Sequence, residues 1–175
     1  YTIWANTSAY HNLPTVNGQQ QSEGAEYAAS NVSYRKDKGR TVFAMNIQKA
    51  YPAAAGINAW KRTITAGPGT ITITDNFEAV KPLASLIQSF MTICPVDISH
   101  PGAIVFTTAH GKKVSLQCGK DWQVTKETMA LTTEEDRGLK VTWRDQPITR
   151  ILLTRRSHAS RGHFQYIITT GQKRN

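Results

Sequence analysis

The sequence predicts an all-β protein, a two-layer antiparallel β-sandwich. Three observations carry that expectation. Alternating apolar and polar runs rich in Val, Ile and Thr recur along the chain, clusters of Gly, Pro and Asp separate them at short intervals, and the Ala-rich segments are no longer than a turn or two of helix. Successive side chains of a strand point to opposite faces, so each run offers one apolar face, and two sheets laid face to face bury those faces together. The expected content is about a dozen short strands and less than about 10% helix.

In chain order, SAYHNLPTVNG (8–18) is a polar segment, then a short apolar run closed by an Asn-Gly turn. SEGAEYAAS (22–30) and AYPAAAGI (50–57) carry local helix propensity over one or two turns. RTVFAMNIQ (40–48) and GTITITDNF (69–77) alternate cleanly, as do AIVFTT, KKVSLQC, GLKVTW, TRILLTR and HFQYIITT in the second half. AGPGT, SHPGA, AHGKK and EEDRG reverse the chain between them. In AWKRTIT, Lys61 and Arg62 are adjacent and so face opposite sides of their strand. TRILLTRRSHASRGHFQYIITT (149–170) reads as a hairpin with its tip near Ser160.

A chain of 175 residues builds a core without disulfide staples, and with no repeat or low-complexity linker it reads as a single sandwich domain, 1–175. It begins at Tyr1 with neither an initiator Met nor a signal sequence, so it is expected to be a piece of a longer protein. No run approaches the roughly 18 apolar residues of a membrane helix, and no membrane partner is expected. Cys94 and Cys118 lie 24 residues apart with no His or Cys at zinc-ligand spacing, which leaves a disulfide or two free thiols.

Twenty-one Lys and Arg against 12 Asp and Glu give a net charge of +9, which favours a polyanionic partner or a solvated basic face. No acidic residue follows Asp145, while Arg150, Arg155, Arg156, Arg161, Lys173 and Arg174 do. On charge alone nucleic acid, acidic polysaccharide and an anionic membrane surface all remain open; Arg155, Arg156 and Arg161 are the candidate glycan-binding residues, because a planar guanidinium binds two oxygens of a sulfate or carboxylate at once. Nucleic acid ranks lower, since the aromatics of TRILLTRRSHASRGHFQY come only at its end rather than between the basic residues. His158 and His163 lack a carboxylate or cysteine to complete a metal site, and His100 and His110 sit beside turns. No phosphate loop, nucleophile elbow or zinc-hydrolase motif occurs.

SAYHNLPTVNGQQQ, DKGRTVFAMNIQKAYPAAAGINAWKRTIT and GTITITDNFEA, taken together, resemble the C-terminal β-sandwich region of the heparinase II/III-like polysaccharide lyases. In that family a His-Asn pair precedes a V-(D/N)-G turn, followed by an A-Y-P segment, an Arg-bearing strand and an Asp closing the next. The resemblance covers residues 8 to 80 and implies several things. The parent would cleave acidic, uronate-containing polysaccharides such as heparin, heparan sulfate or alginate by β-elimination, in the periplasm of a bacterium or after secretion. Its proton-transfer groups would lie mainly on an N-terminal α/α-toroid joined in cis, so no catalytic residue is assigned in this chain.

The resemblance further implies that His11 is one ligand of a structural zinc in the parent. YTIWANTSAY, the ten residues before His11, contains neither of the family's other protein ligands, a histidine and an aspartate, so the chain alone is expected to hold no zinc. The other reading makes His11 part of a polar turn. Tyr10, Tyr27, Tyr34 and Tyr51 are assigned packing roles. Two functions follow: a non-catalytic domain of such a lyase, or a free-standing module that binds polyanions or carbohydrate.

Overall fold

A computed structural model of the protein describes residues 3–171. Two single 3-10 turns, Trp4–Asn6 and Ser8–Tyr10, lead into β1 (Pro14–Val16), β2 (Ser30–Asp37) and β3 (Arg40–Asn46). Two more, Gln48–Ala50 and Ala53–Ala55, precede β4 (Ile57–Gly67), β5 (Thr70–Ala79), β6 (Leu86–Thr92) and β7 (Val96–Asp97). The chain continues through β8 (Ala103–Thr107), β9 (Lys113–Gln117), β10 (Trp122–Met129), the helix α1 (Arg137–Trp143), β11 (Ile148–Arg155) and β12 (Arg161–Thr170). The strands form two antiparallel sheets, one in the order β1-β6-β11-β10 and the other β2-β3-β4-β5-β12-β9-β8-β7. Strand accounts for 50% and helix for 11%, so the all-β sandwich holds, with helix slightly above expectation.

The hairpins follow from their turns. Lys38 and Gly39 both take positive φ between the paired Asp37 and Arg40, the two-residue arrangement whose twist suits a β-hairpin. Between Gly67 and Thr70, Pro68 presets its φ and Gly69 takes +69°. The core lies between the sheets around Trp60, Phe77, Trp122, Phe164 and Tyr166, whose rings pack with centroids 5.2–6.1 Å apart.

Four expectations are corrected. GLKVTW is not a strand: Arg137–Trp143 is α-helical, and EEDRG leads into it rather than closing a hairpin. β10 and β11 already pair to their ends at Met129 and Ile148, so the residues between them lie beyond the sheet, where no strand is available to pair. Asp136 organises the helix entry by accepting the Thr133 N–H and hydroxyl and the Trp4 indole N–H. SEGAEYAAS forms no helix, only a turn in which Tyr27 N–H reaches the Gly24 carbonyl. Residues 149–170 are not a hairpin, because β11 pairs with β10 and β6 in the small sheet while β12 pairs with β5 and β9 in the large one. Tyr34 stands 61% exposed rather than packed. Cys94 and Cys118 are free thiols, the latter raised in pKa by burial.

A buried charge network joins the two sheets. Arg62 and Asp75 face each other directly across β4 and β5 and are 4% and 0% exposed. Arg62 Nε and Nη2 donate to Asp75 Oδ1 and Oδ2 at 2.8 and 2.6 Å, Nη2 also donates to Gln88 Oε1 on β6 at 2.7 Å, and Nη1 donates to the Asn12 carbonyl at 3.0 Å. Trp60 Nε1 donates to the same carboxylate at 2.9 Å. Burial alone would lower the Arg62 pKa, but the Asp75 hydrogen bonds and charge outweigh it and leave it raised.

Removing one partner strands the other charge in the core. Asp75→Asn is therefore expected to lower the unfolding free energy in urea by about 3–5 kcal/mol, and a loss under about 1 kcal/mol would show that the pair holds little of the fold. A second expectation concerns alkaline pH. Burial raises Tyr51 and Tyr166 above the ordinary 10.0, with Arg62 partly offsetting it in both. Above pH 10 the unfolded tyrosines lose protons that the folded ones keep, so stability is full below that pH and falls as pH rises, by up to about 1.4 kcal/mol per pH unit for each group. Tyr51→Phe should make the decline of urea stability between pH 10 and 11 shallower; an unchanged slope would remove Tyr51 as a contributor.

Candidate functional site

The residues that carry the family resemblance fasten the segment around β1 to the strands and loops about it. The Asn12 Oδ1 accepts the Met91 N–H on β6 at 2.9 Å, while its carbonyl takes the Arg62 bond. Asn17, in the left-handed region at φ 51°, donates to the Ala55 carbonyl and accepts the Ala84 and Ser85 N–H groups, so the V-N-G turn clamps two other loops. The buried Tyr51 hydroxyl donates to the Pro14 carbonyl, which confirms its packing role. Asn12, Arg62 and Asp75 thus form one connected knot, while Asn17 and Tyr51 fasten the neighbouring β1 segment at the Ala55 and Pro14 carbonyls.

His11 is held up by that knot without belonging to it. It is exposed, its N–H bonds the Ser8 carbonyl, and it lines a cavity of ≈ 520 Å³ with Ser8, Leu13, Gln20, Gln21 and Glu23. Ser8 Oγ and Gln20 Oε1 accept the Gln21 and Ala9 N–H groups and shape the cavity wall. Among the described residues no group of three His, Cys, Asp or Glu is placed to hold a metal ion. The donors among the described residues therefore do not by themselves make up the about four that a zinc ion needs.

The other histidines are dispersed. His158 Nδ1 lies 2.7 Å from the Leu83 carbonyl, His163 Nδ1 lies 2.7 Å from Asn76 Oδ1, and His100 sits 3.8 Å from Asp97 with both exposed.

The three candidate arginines separate. Arg161 pairs with Glu78 across β12 and β5 at 3.0 Å. Arg155 is fixed by Ser157 and Asp121 and lies over the rings of Trp122 and Phe164. Arg156 is exposed. The charges taken from the sequence as unpartnered thus have partners at two of the three positions, supplied by Glu78 on β5 and by Asp121 just before β10, both distant in sequence. Lys120, which sequence reasoning did not group with them, borders the same corner as Arg155 and Arg156. Lys173 and Arg174 lie outside the described residues.

The molecule is thus an open β-sandwich, not closed into a barrel, with a polar N-terminal cavity and a basic corner. Among the described residues no helix is long and apolar enough to cross a membrane. No protein-family model matches the chain, and no curated protein is significantly similar to it. Solved structures are. The heparan sulfate lyase HepC from Pedobacter heparinus superposes with a TM-score of 0.71 at 12% identity, over 97% of this chain and 26% of that one. The heparinase III that is the BT4657 gene product gives 0.68 at 12% identity over 97% and 25%. Another heparinase III gives 0.66 at 10% identity over 95% and 24%. The fold is therefore the one that these lyases carry in about a quarter of their length, as the resemblance implied.

Because Asn12 is tied into the knot and the His11 side chain is not, their substitutions should differ. Asn12→Ala is expected to lose about 1 kcal/mol of stability and His11→Ala less than about 0.5 kcal/mol, measured by urea denaturation. The reverse order would mean that the imidazole, not the amide, holds the segment.

Proposed function

We propose that this chain is the non-catalytic C-terminal β-sandwich domain of a heparinase II/III-like lyase that cleaves acidic, uronate-containing polysaccharides. The observation that carries the reading is the match of 97% of this chain to about a quarter of a heparan sulfate lyase. In β-elimination a base removes the proton beside the uronate carboxylate and an acid protonates the leaving glycosidic oxygen. Tyr51 and Tyr166 are buried with raised pKa values, which suits them to packing rather than to the first step. The toroid in cis supplies the proton transfers, and this domain braces it and adds positive charge to the cleft wall. In this reading the parent is periplasmic or secreted, and His11 gives one donor to a zinc whose other ligands come from the parent.

The basic corner favours a second reading, a free-standing module for acidic carbohydrate. The two separate in one assay, because β-elimination leaves an unsaturated uronate that absorbs in the ultraviolet. The polypeptide of the full reading frame is expected to generate that absorbance from heparan sulfate or a related uronate, and the 175-residue chain is not. Absorbance from the short chain would place a base within it. No absorbance from the full polypeptide on any uronate polymer would leave the binding module.

A further inference from the structure

We propose that the corner around Lys120, where the chain crosses from the large sheet to the small one, binds an acidic oligosaccharide; the ligand class rests on the lyase reading above. β9 pairs with β12 only from Ile167 onward, so the flank of β12 from Arg161 to Tyr166 opposite β5 carries no strand. The chain turns at Gly119, φ +81°, and enters β10 at Trp122, which pairs with Arg155. Two clefts meet across Lys120 and Trp122. One of ≈ 400 Å³ is bordered by Lys120, Arg155 and His163, the other of ≈ 320 Å³ by Lys120, Arg156 and His100.

The cations there differ in kind. The Arg155 guanidinium lies 5.8 and 5.4 Å from the ring centres of Trp122 and Phe164, its Nε donates to Ser157 Oγ at 3.1 Å, and its Nη2 is 3.4 Å from Asp121. Its direction is set before a ligand arrives, which lowers the entropy lost on binding. Lys120 and Arg156 are exposed, and their side chains have no hydrogen-bond or ion-pair partner among the described residues. Asp121 Oδ2 takes the Ser157 hydroxyl and lies beside Arg155, and no ion pair joins it to Lys120 or Arg156. A fixed planar donor, two free cations and an unpaired strand flank suit a ligand that combines carboxylate or sulfate groups with hydroxyls.

Nucleic acid fits less well. Trp122 and Phe164 are 4% and 7% exposed beneath Arg155, leaving no open ring on which a base could stack.

The test is calorimetric titration of the 175-residue chain at low salt with a heparin-derived octasaccharide. Lys120→Ala/Arg156→Ala should weaken binding about tenfold or more, while Lys112→Ala/Lys113→Ala, which removes equal charge at the β8–β9 turn, should change it less than about twofold. All four residues are exposed, so both variants should melt as the unaltered chain does. Equal losses in the two doubles, no binding by the unaltered chain, or a DNA duplex bound as tightly as the octasaccharide would each overturn the site. Lyase activity of the full polypeptide that survives without octasaccharide binding here sinks the site alone. Binding here with no lyase activity in that polypeptide sinks only the enzymatic reading.

Discussion

The structure depends on a buried charge. Arg62, 4% exposed, would be intolerable between two sheets without full compensation, because an isolated cation in a low-dielectric core costs many kcal/mol. Its compensation is drawn from three places at once: Asp75 on the neighbouring strand, Gln88 on the opposite sheet and the Asn12 carbonyl ahead of β1. This fixes the β4–β5 register, since a slip of one residue would turn Arg62 to the solvent face. It also fixes how the small sheet sits on the large one, a relation that apolar contacts alone leave less specific.

The unequal sheets limit how far the core extends. Tyr34, Phe43, Ile64 and Ile71 lie on the same face of the large sheet as Arg62 by register, yet none joins the buried core, and Tyr34 and Ile71 are 61% and 40% exposed. Period-2 alternation in GTITITDNF announces that one face is apolar. It does not report whether a second layer covers it, because the covering strands are specified elsewhere in the chain.

That distinction explains what was legible. Strands, hairpin turns and the all-β class are local properties, and RTVFAMNIQ, GTITITDNF, AIVFTT and HFQYIITT are strands as their alternation predicts. Pairing is not local. Leu139, Val141 and Trp143 alternate with polar residues, but the connection from β10 to β11 lies beyond the sheet, so Val141 stands 79% exposed on a short helix. TRILLTR and HFQYIITT are both strands, yet each found partners other than the other. The same limit applies to charge: Glu78 and Asp121 pair with Arg161 and Arg155 from 83 and 34 residues away in sequence.

The motif beside His11 shows how a signature and a function part company. Asn12, Asn17, Tyr51, Arg62 and Asp75 would persist together in any chain that keeps this packing around β1, whatever the domain binds, because each satisfies a polar group that the fold would otherwise leave open. Their presence therefore argues for fold first, in keeping with a likeness to solved lyases at 10–12% identity. Functional identity has to be sought where the fold leaves groups unsatisfied. Two such places on the surface of the described residues are the exposed imidazole of His11 on its cavity and the free cations of Lys120 and Arg156, where β9 parts from β12 and two sheets leave a corner open to solvent.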